Sequence, residues 1–175
     1  MLSVACIASI GSVSEAIYSA IDNDGRLLLG GDVDIRLTHT PASDKQLAWL
    51  KLNSSSFSEV VQMRVMTQTA NNKQSLLAEL KAVDKFYPLF GSLRLQGDES
   101  LRDIIKNQNE KHGAAVERQI LKKLNLRIGE EIRIGAASFI IRATIDREPD
   151  RSSQVFRLGP RILISQEGLR ATGLV

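Results

Sequence analysis

The side chains that most often carry catalysis are sparse in this chain and are not arranged as a site. It has two histidines, His39 and His112, and one cysteine, Cys6. The histidines lie far apart, and neither has the spacing to a cysteine or an acid that a metal site requires. We interpret both histidines as solvated loop residues and Cys6 as a small apolar residue, and we predict no metal and no cofactor.

Motifs for nucleophilic catalysis and nucleotide binding are also missing from the sequence. No serine lies in a Gly-x-Ser-x-Gly elbow. Gly30 and Gly31 lack the further glycines and the Lys-Ser/Thr pair of a phosphate-binding loop. The acids Asp98 and Glu99 are typical of turns and caps. The sequence therefore predicts a protein that is not an enzyme and, in particular, not an ATPase.

One charged turn, at residues 147–151, could bind a partner and has no catalytic pattern. Arg147, Glu148, Asp150 and Arg151 surround Pro149, which fixes its own φ and keeps the preceding residue extended. A salt-bridged turn of little energetic weight is one interpretation. The other is a rim that touches a partner protein or a lipid headgroup. We expect this loop to be exposed at one tip of the molecule, with Arg147 or Arg151 free of any buried partner.

The composition is that of an ordinary globular protein and argues against nucleic acid as a partner. The 175 residues are 43% hydrophobic and 25% charged, enough for one domain or two small ones. The net charge is +3, and the basic residues are scattered among acids instead of clustered. Aromatic residues make up only 5% of the chain, which is too few for a base-stacking platform.

The first twenty or so residues form an apolar stretch that serines and Gly11 dilute. Its length is about that of a membrane span, and Val13, Ile17 and Ile21 belong to a stripe at helical spacing. Two interpretations stand equal: an amphipathic helix on the core, and the outer end of a transmembrane helix.

The remaining pattern predicts an α+β protein. Strict alternation predicts a half-buried strand at residues 32–38. A helix from Ser43 to about Asn53 follows, and then strands at 60–69 and 75–83 joined by a turn at 71–73.

The second half of the chain has a clear hairpin pattern. Residues 130–135 are predicted to pair with 137–145, with Phe139 and Ile141 inward and opposite Ile132 and Ile134. The other predicted elements are a short strand at 93–95, a helical face within 113–126, a strand at 157–164 and a final helix at 166–172.

Five segments lie in order along the chain as landmarks, at residues 28–34, 124–135, 147–151, 158–161 and 171–175. Together they resemble the extracytoplasmic domain of MacB/FtsX-type ABC transporter permeases, in the subgroup of large permeases linked to lysophospholipase or thioesterase export systems. The resemblance runs over nearly the whole chain.

The resemblance implies an organisation, a location and partners. Residues 1–23 would be the outer end of transmembrane helix one, 24–91 the first portion of a mixed α/β porter-like unit, and 92–175 a β-rich sabre-like unit. The domain would face the periplasm at the bacterial inner membrane. Its partners would be a cytoplasmic ATP-binding subunit and a second permease copy or a periplasmic protein, and ATP hydrolysis would be coupled to events outside the membrane.

Two other classes of protein stay open at this point. One is a soluble, non-catalytic binding module whose hairpin at 130–145 belongs to a small β-barrel. The other is an accessory domain of a hydrolase.

Overall fold

The structure, a computed structural model, describes residues 30–38, 40–149 and 159–175. The predicted N-terminal helix, Cys6, His39, Asp150 and Arg151 lie outside these residues. The elements, in chain order, are α1 (Asp44–Asn53), β1 (Val60–Thr69), β2 (Ser75–Val83), β3 (Arg94–Leu95), α2 (Leu101–Ile105), β4 (His112–Glu117), α3 (Arg118–Leu124), β5 (Glu131–Ile134), β6 (Ala137–Arg147), β7 (Arg161–Ser165) and α4 (Gln166–Ala171). The predicted α+β class is confirmed. None of the helices in this part of the chain is long and apolar enough to cross a membrane.

The strands form one mixed sheet in the order β3-β6-β4-β7-β2-β1-β5. β2 with β7 and β4 with β6 are parallel pairs, and the other pairs are antiparallel. Because β5 pairs with β6 as well as with β1, the sheet closes on itself. Of the strands in the described residues, β3 alone lies outside this ring, attached to β6.

The β1–β2 hairpin has the predicted strands and turn. Val60 pairs with Val83, and the register holds to Gln68 and Ser75. Asn72 takes a positive φ of 55°, a conformation that asparagine tolerates better than most residues. The Asn71 carboxamide oxygen accepts a hydrogen bond from the Lys73 N–H at 3.1 Å, which holds the turn closed.

Two hydrophobic clusters lie on opposite faces of the sheet. The first contains residues from every strand of the ring, and Ile120 of α3 and Leu169 of α4 pack into it. The second contains Ile104 and Ile105 of α2 and covers the other face. Phe139 in the first cluster is fully buried, and a Cβ at Gly168 would lie only 2.8 Å from its Cε1 atom. Glycine at residue 168 therefore leaves the space that the Phe139 ring occupies.

The predicted hairpin of β5 and β6 is confirmed in its pairing and in the inward facing of Phe139 and Ile141. Its register is confirmed for Phe139 but is wrong for Ile141, which does not lie opposite Ile134, and β6 extends two residues beyond the predicted end. Ile132 pairs with Phe139 and Ile134 with Ala137. Phe139 and Ile141 are buried, as predicted. The helix α1 is also confirmed, because Ser43 caps it and exchanges hydrogen bonds with Gln46 in a capping box.

The strand predicted at residues 32–38 is wrong. This segment has no strand partner among the described residues, and Val33, Ile35 and Leu37 are 76%, 55% and 53% exposed. Alternation describes which side chains share a face, but a strand also needs a neighbour that takes its backbone hydrogen bonds.

The helix predicted within 113–126 is half wrong. Residues 112–117 form β4, and the helix starts only at Arg118. β4 lies between β6 and β7 and is buried on both faces from Gly113 to Val116, so it lacks the alternation of a half-exposed strand. Gly113 is required there, because a Cβ would lie 1.8 Å from the Ile104 carbonyl oxygen.

The boundary predicted near residue 91 does not coincide with the limit of a sheet. β1 and β2 precede it and β3 to β7 follow it, and all belong to the same sheet. β2 pairs with β7, and β1 pairs with β5. The assignment of porter-like and sabre-like units remains a prediction.

Candidate functional site

The residues predicted to touch a partner lie in contrasting surroundings. Arg147 ends β6 and is exposed. The side chain of Glu148 is 0% exposed, so the expectation that it belongs to an exposed rim is wrong. Asp150 and Arg151 lie outside the described residues.

Glu148 is buried because three side chains satisfy its carboxylate. Lys81 Nζ donates to Oε1 at 2.7 Å, and the Tyr87 hydroxyl donates to the same oxygen at 3.1 Å. Arg161 Nε donates to Oε2 at 3.1 Å. Lys81 Nζ also donates to the Tyr87 hydroxyl oxygen at 2.8 Å. We call Lys81, Tyr87, Glu148 and Arg161 the Glu148 network.

Two further acids border the Glu148 network on the Arg161 side. A terminal nitrogen of Arg161 lies 3.5 Å from Glu79 Oε2, and its backbone N–H donates to Glu117 Oε2 at 3.1 Å. Lys81 and Arg161 are 1% and 2% exposed. Charges taken out of water are tolerated only when they are paired and hydrogen-bonded. The network therefore fixes β2, β7 and the ends of β4 and β6 relative to one another.

The sequence positions these charges through strand alternation and a turn. On β2, Ala78, Leu80 and Ala82 belong to the first hydrophobic cluster, so Glu79 and Lys81 point to the opposite face. Tyr87 is fixed by Asp84, whose Oδ1 accepts a hydrogen bond from the Tyr87 N–H at 3.1 Å.

Sequence reasoning missed Lys81, Tyr87 and Arg161 as members of a site. Lys81 and Glu148 are separated by 67 positions and Tyr87 and Glu148 by 61, so no local motif joins them. The available signal was Lys81 itself, a lone lysine between Leu80 and Ala82 in a strand that is otherwise apolar at its end.

Arg147 lies opposite a second arginine. In the antiparallel pair of β3 and β6, Arg94 pairs with Arg147 and Leu95 with Ile145, so Asp146 is an extra residue in a β-bulge. Arg94 and Arg147 are both exposed. Asp146 lies 3.5 Å from Arg118 at the start of α3. Within the described ranges, no carboxylate forms an ion pair with Arg94 or Arg147.

His112 lies in a strand, so the prediction that it is a solvated loop residue is wrong. His112 begins β4 and is half-buried, and its ring lies 5.7 Å from that of Phe139. Its Nδ1 atom is buried and has no hydrogen-bond partner among the described residues. No cluster of three or more metal-ligating side chains occurs in the part of the chain that the structure describes.

An open groove of about 580 Å³ lies beside β1. Its lining comprises Met63, Arg64, Val65, Met66, Gln68, Arg133, Gly135 and Leu174. Neither a nucleophile nor a carboxylate is among them, so these residues supply no acid–base pair.

Comparison with known proteins gives a sequence relative and several similar structures. No family model matches the chain. The chain is 26% identical over 175 residues to the uncharacterized ABC transporter permease YbbP of Escherichia coli strain K12. This alignment covers 99% of the chain and 20% of YbbP. The chain thus spans about a fifth of the length of this relative. The predicted resemblance to ABC transporter permeases is confirmed.

Two solved structures are similar to the chain at low identity. The periplasmic region of MacB from Actinobacillus actinomycetemcomitans has a TM-score of 0.49 and 15% identity, covering 82% of this chain and 63% of that one. The extracellular domain of the ABC-type transporter YknZ from Gram-positive bacteria has a TM-score of 0.48 and 12% identity, covering 76% and 73%.

Proposed function

We propose that this chain is the extracytoplasmic domain of an ABC transporter permease of the bacterial inner membrane, facing the periplasm. The observation that carries the proposal is the alignment of 99% of the chain with a permease. The domain has a mechanical and recognition role and performs no reaction itself. A cytoplasmic ATP-binding subunit hydrolyses ATP, and the membrane part of the permease couples that hydrolysis to movement of this domain.

The closed sheet and the Glu148 network support a role in transmitting movement. A sheet that pairs with itself around a ring has few free edges along which to open. Buried, fully paired charges also permit few alternative arrangements. A domain built in this way moves as a rigid body instead of deforming. A displacement at the end joined to the membrane part therefore reaches the end that meets a partner.

In this proposal the turn after β6 contacts a second permease copy or a periplasmic partner. Arg147, Asp150 and Arg151 are the proposed contact residues. Glu148 anchors the turn and is not a contact residue, because its buried carboxylate accepts hydrogen bonds from Lys81, Tyr87 and Arg161. A contact loop held by a rigid scaffold is a common arrangement in binding proteins.

The location is tested by cysteine labelling in the full-length permease, after its other cysteines, Cys6 included, have been replaced. Lys73→Cys places a thiol on the exposed turn between β1 and β2. A maleimide that cannot cross the inner membrane should label it in cells with a permeabilised outer membrane. The control, Ile120→Cys, is buried and should react only after denaturation. Labelling of Lys73→Cys only after the inner membrane is broken would refute the proposal.

A soluble binding module is the second candidate, and one observation favours its geometry. The hairpin of β5 and β6 does belong to a closed sheet, because β5 also pairs with β1. Fractionation of cells separates the candidates, since the natural protein stays with the membrane pellet after a carbonate wash if it is a permease and enters the supernatant if it is a soluble module.

A further inference from the structure

Arg94 and Arg147 form a pair of like charges on neighbouring strands. They are directly opposite each other in the register of β3 and β6. Opposed like charges destabilise a sheet, because their Cβ atoms are only about 4.5–5.5 Å apart. Among the described residues neither arginine has a carboxylate partner, and both are exposed. An anion between the two guanidinium groups would remove the repulsion.

The surrounding structure holds this pair in place. Beneath it, Leu95 and Ile145 pack in the second hydrophobic cluster. Glu148, the residue after Arg147, is fixed by hydrogen bonds to three side chains. Asp146, the extra residue of the bulge, is engaged by Arg118 on the side of α3. Its carboxylate therefore has a partner elsewhere, and the two guanidinium groups rest on a rigid backbone.

We propose that Arg94 and Arg147 form a clamp for a phosphate group. One guanidinium fork satisfies the two oxygens and single charge of a carboxylate. A phosphate monoester has three free oxygens and close to two charges near neutral pH, so it can occupy two forks at once. The phosphate belongs either to a lipid headgroup or to a soluble phosphate compound.

This inference rests on the proposed role of Arg147 as a contact residue, and it adds a phosphate-bearing ligand to the protein partner proposed for that turn. The two can fail separately. If labelling places the domain outside the inner membrane but no phosphate binds, the clamp is wrong and the permease proposal stands. If phosphate binds but the labelled residue faces the cytoplasm, the clamp survives without the permease assignment.

The test uses the 175-residue chain and two probes at low ionic strength. Inorganic phosphate is titrated while the NMR signals of the arginine side chains are followed. Vesicles of phosphatidylcholine with and without phosphatidic acid are then tested by co-sedimentation. A saturable shift at Arg94 and Arg147 with inorganic phosphate identifies a site for soluble phosphate, and binding to phosphatidic acid vesicles alone identifies a lipid site.

Variants locate the binding on the protein. Each of R94Q and R147Q should weaken vesicle binding about fivefold, the effect of one arginine near an anionic surface. R64Q is the matched control, because Arg64 is an exposed arginine on β1 with no ion-pair partner among the described residues, and it should change binding less than R94Q does. R94K/R147K retains both charges without the planar forks and should remain weaker than the unaltered chain.

Three results would overturn the clamp. The first is the absence of binding to both probes. The second is an equal loss in R64Q and R147Q, or full binding by R94K/R147K, because either shows a diffuse electrostatic effect. The third is binding of a glutamate-rich peptide with no response to phosphate, which would identify an acidic protein segment as the ligand.

Discussion

At the scale of the residue, Glu148 has the most consequential position in the chain. Its neighbour Arg147 faces solvent, whereas its own carboxylate accepts hydrogen bonds from two cations and a tyrosine in the interior. Two adjacent residues of one charged turn thus have opposite roles. Charge pattern alone could not separate them, because the partners of Glu148 come from distant parts of the chain.

Replacing Glu148 with glutamine should strongly destabilise the fold. The change leaves Lys81 and Arg161 buried with less compensation, and breaking a buried ion pair typically costs about 3–5 kcal/mol. Urea unfolding of E148Q against the unaltered chain measures the loss. The control is R118Q, which removes an exposed pair with Asp146 and should cost under about 1 kcal/mol. Equal effects of both changes would show that the Glu148 network contributes no more than a surface pair.

Asp103 should titrate below the ordinary range for an aspartate. Its pKa is lowered mainly by the hydrogen bond from Ser100 and then by Lys106, whose Nζ lies 3.0 Å from Oδ1. A carboxylate with a lowered pKa stabilises the fold above its unfolded pKa, and that contribution is lost as the pH falls through the folded pKa. NMR titration of the side chain should show the pKa of Asp103 rising in Ser100→Ala. An unchanged pKa in that variant would remove Ser100 as the main cause.

At the scale of the element, local pattern was sufficient where a strand has one buried and one exposed face and where a capping residue marks the start of a helix, as Ser43 does for α1. The β1–β2 hairpin, α1 and the β5–β6 hairpin follow the patterns that predicted them. The pattern failed for β4, which is buried on both faces between β6 and β7. Four small or apolar residues in a row suit a helix equally well, and only the position in the sheet decides between the two.

Truncating Phe139 tests the register of the β5–β6 hairpin. Phe139 is fully buried opposite Ile132, so Phe139→Ala should cost about 3–5 kcal/mol in urea unfolding. Ile140→Ala is the matched control, because Ile140 points to the other face and is only half-buried. It should cost clearly less. A larger loss for Ile140 than for Phe139 would mean that the strand is shifted by one residue.

At the scale of the whole molecule, the contact role proposed for Arg147 predicts that a change at this residue affects transport and leaves the stability of the domain intact. If the chain is part of a permease, as proposed, charge reversal of Arg147 in the full-length protein should impair transport, because this side chain is exposed and is proposed to meet a partner. The same change in the 175-residue chain should not lower the melting temperature and should raise it slightly, since a glutamate opposite Arg94 replaces a repulsion between like charges by an attraction.

Arg102→Glu is the control for that experiment, because Arg102 is also exposed and lies on α2, outside the proposed contact. It should leave transport intact. If Arg147→Glu lowers the melting temperature and transport continues, the turn serves only the fold and the contact proposal is wrong.

The closed sheet also constrains the order in which the chain can fold as it is made. β2 needs β7 on its free side, and β1 needs β5, as the pairs Leu80–Ile162 and Thr67–Ile134 show. Both partners are synthesised much later than the first hairpin. Contacts between residues so far apart in sequence form slowly. From the completion of β2 until Ser165 has emerged, the nascent chain therefore presents a hairpin with unpaired edges, and during that interval the domain is exposed to aggregation or to assistance by a chaperone.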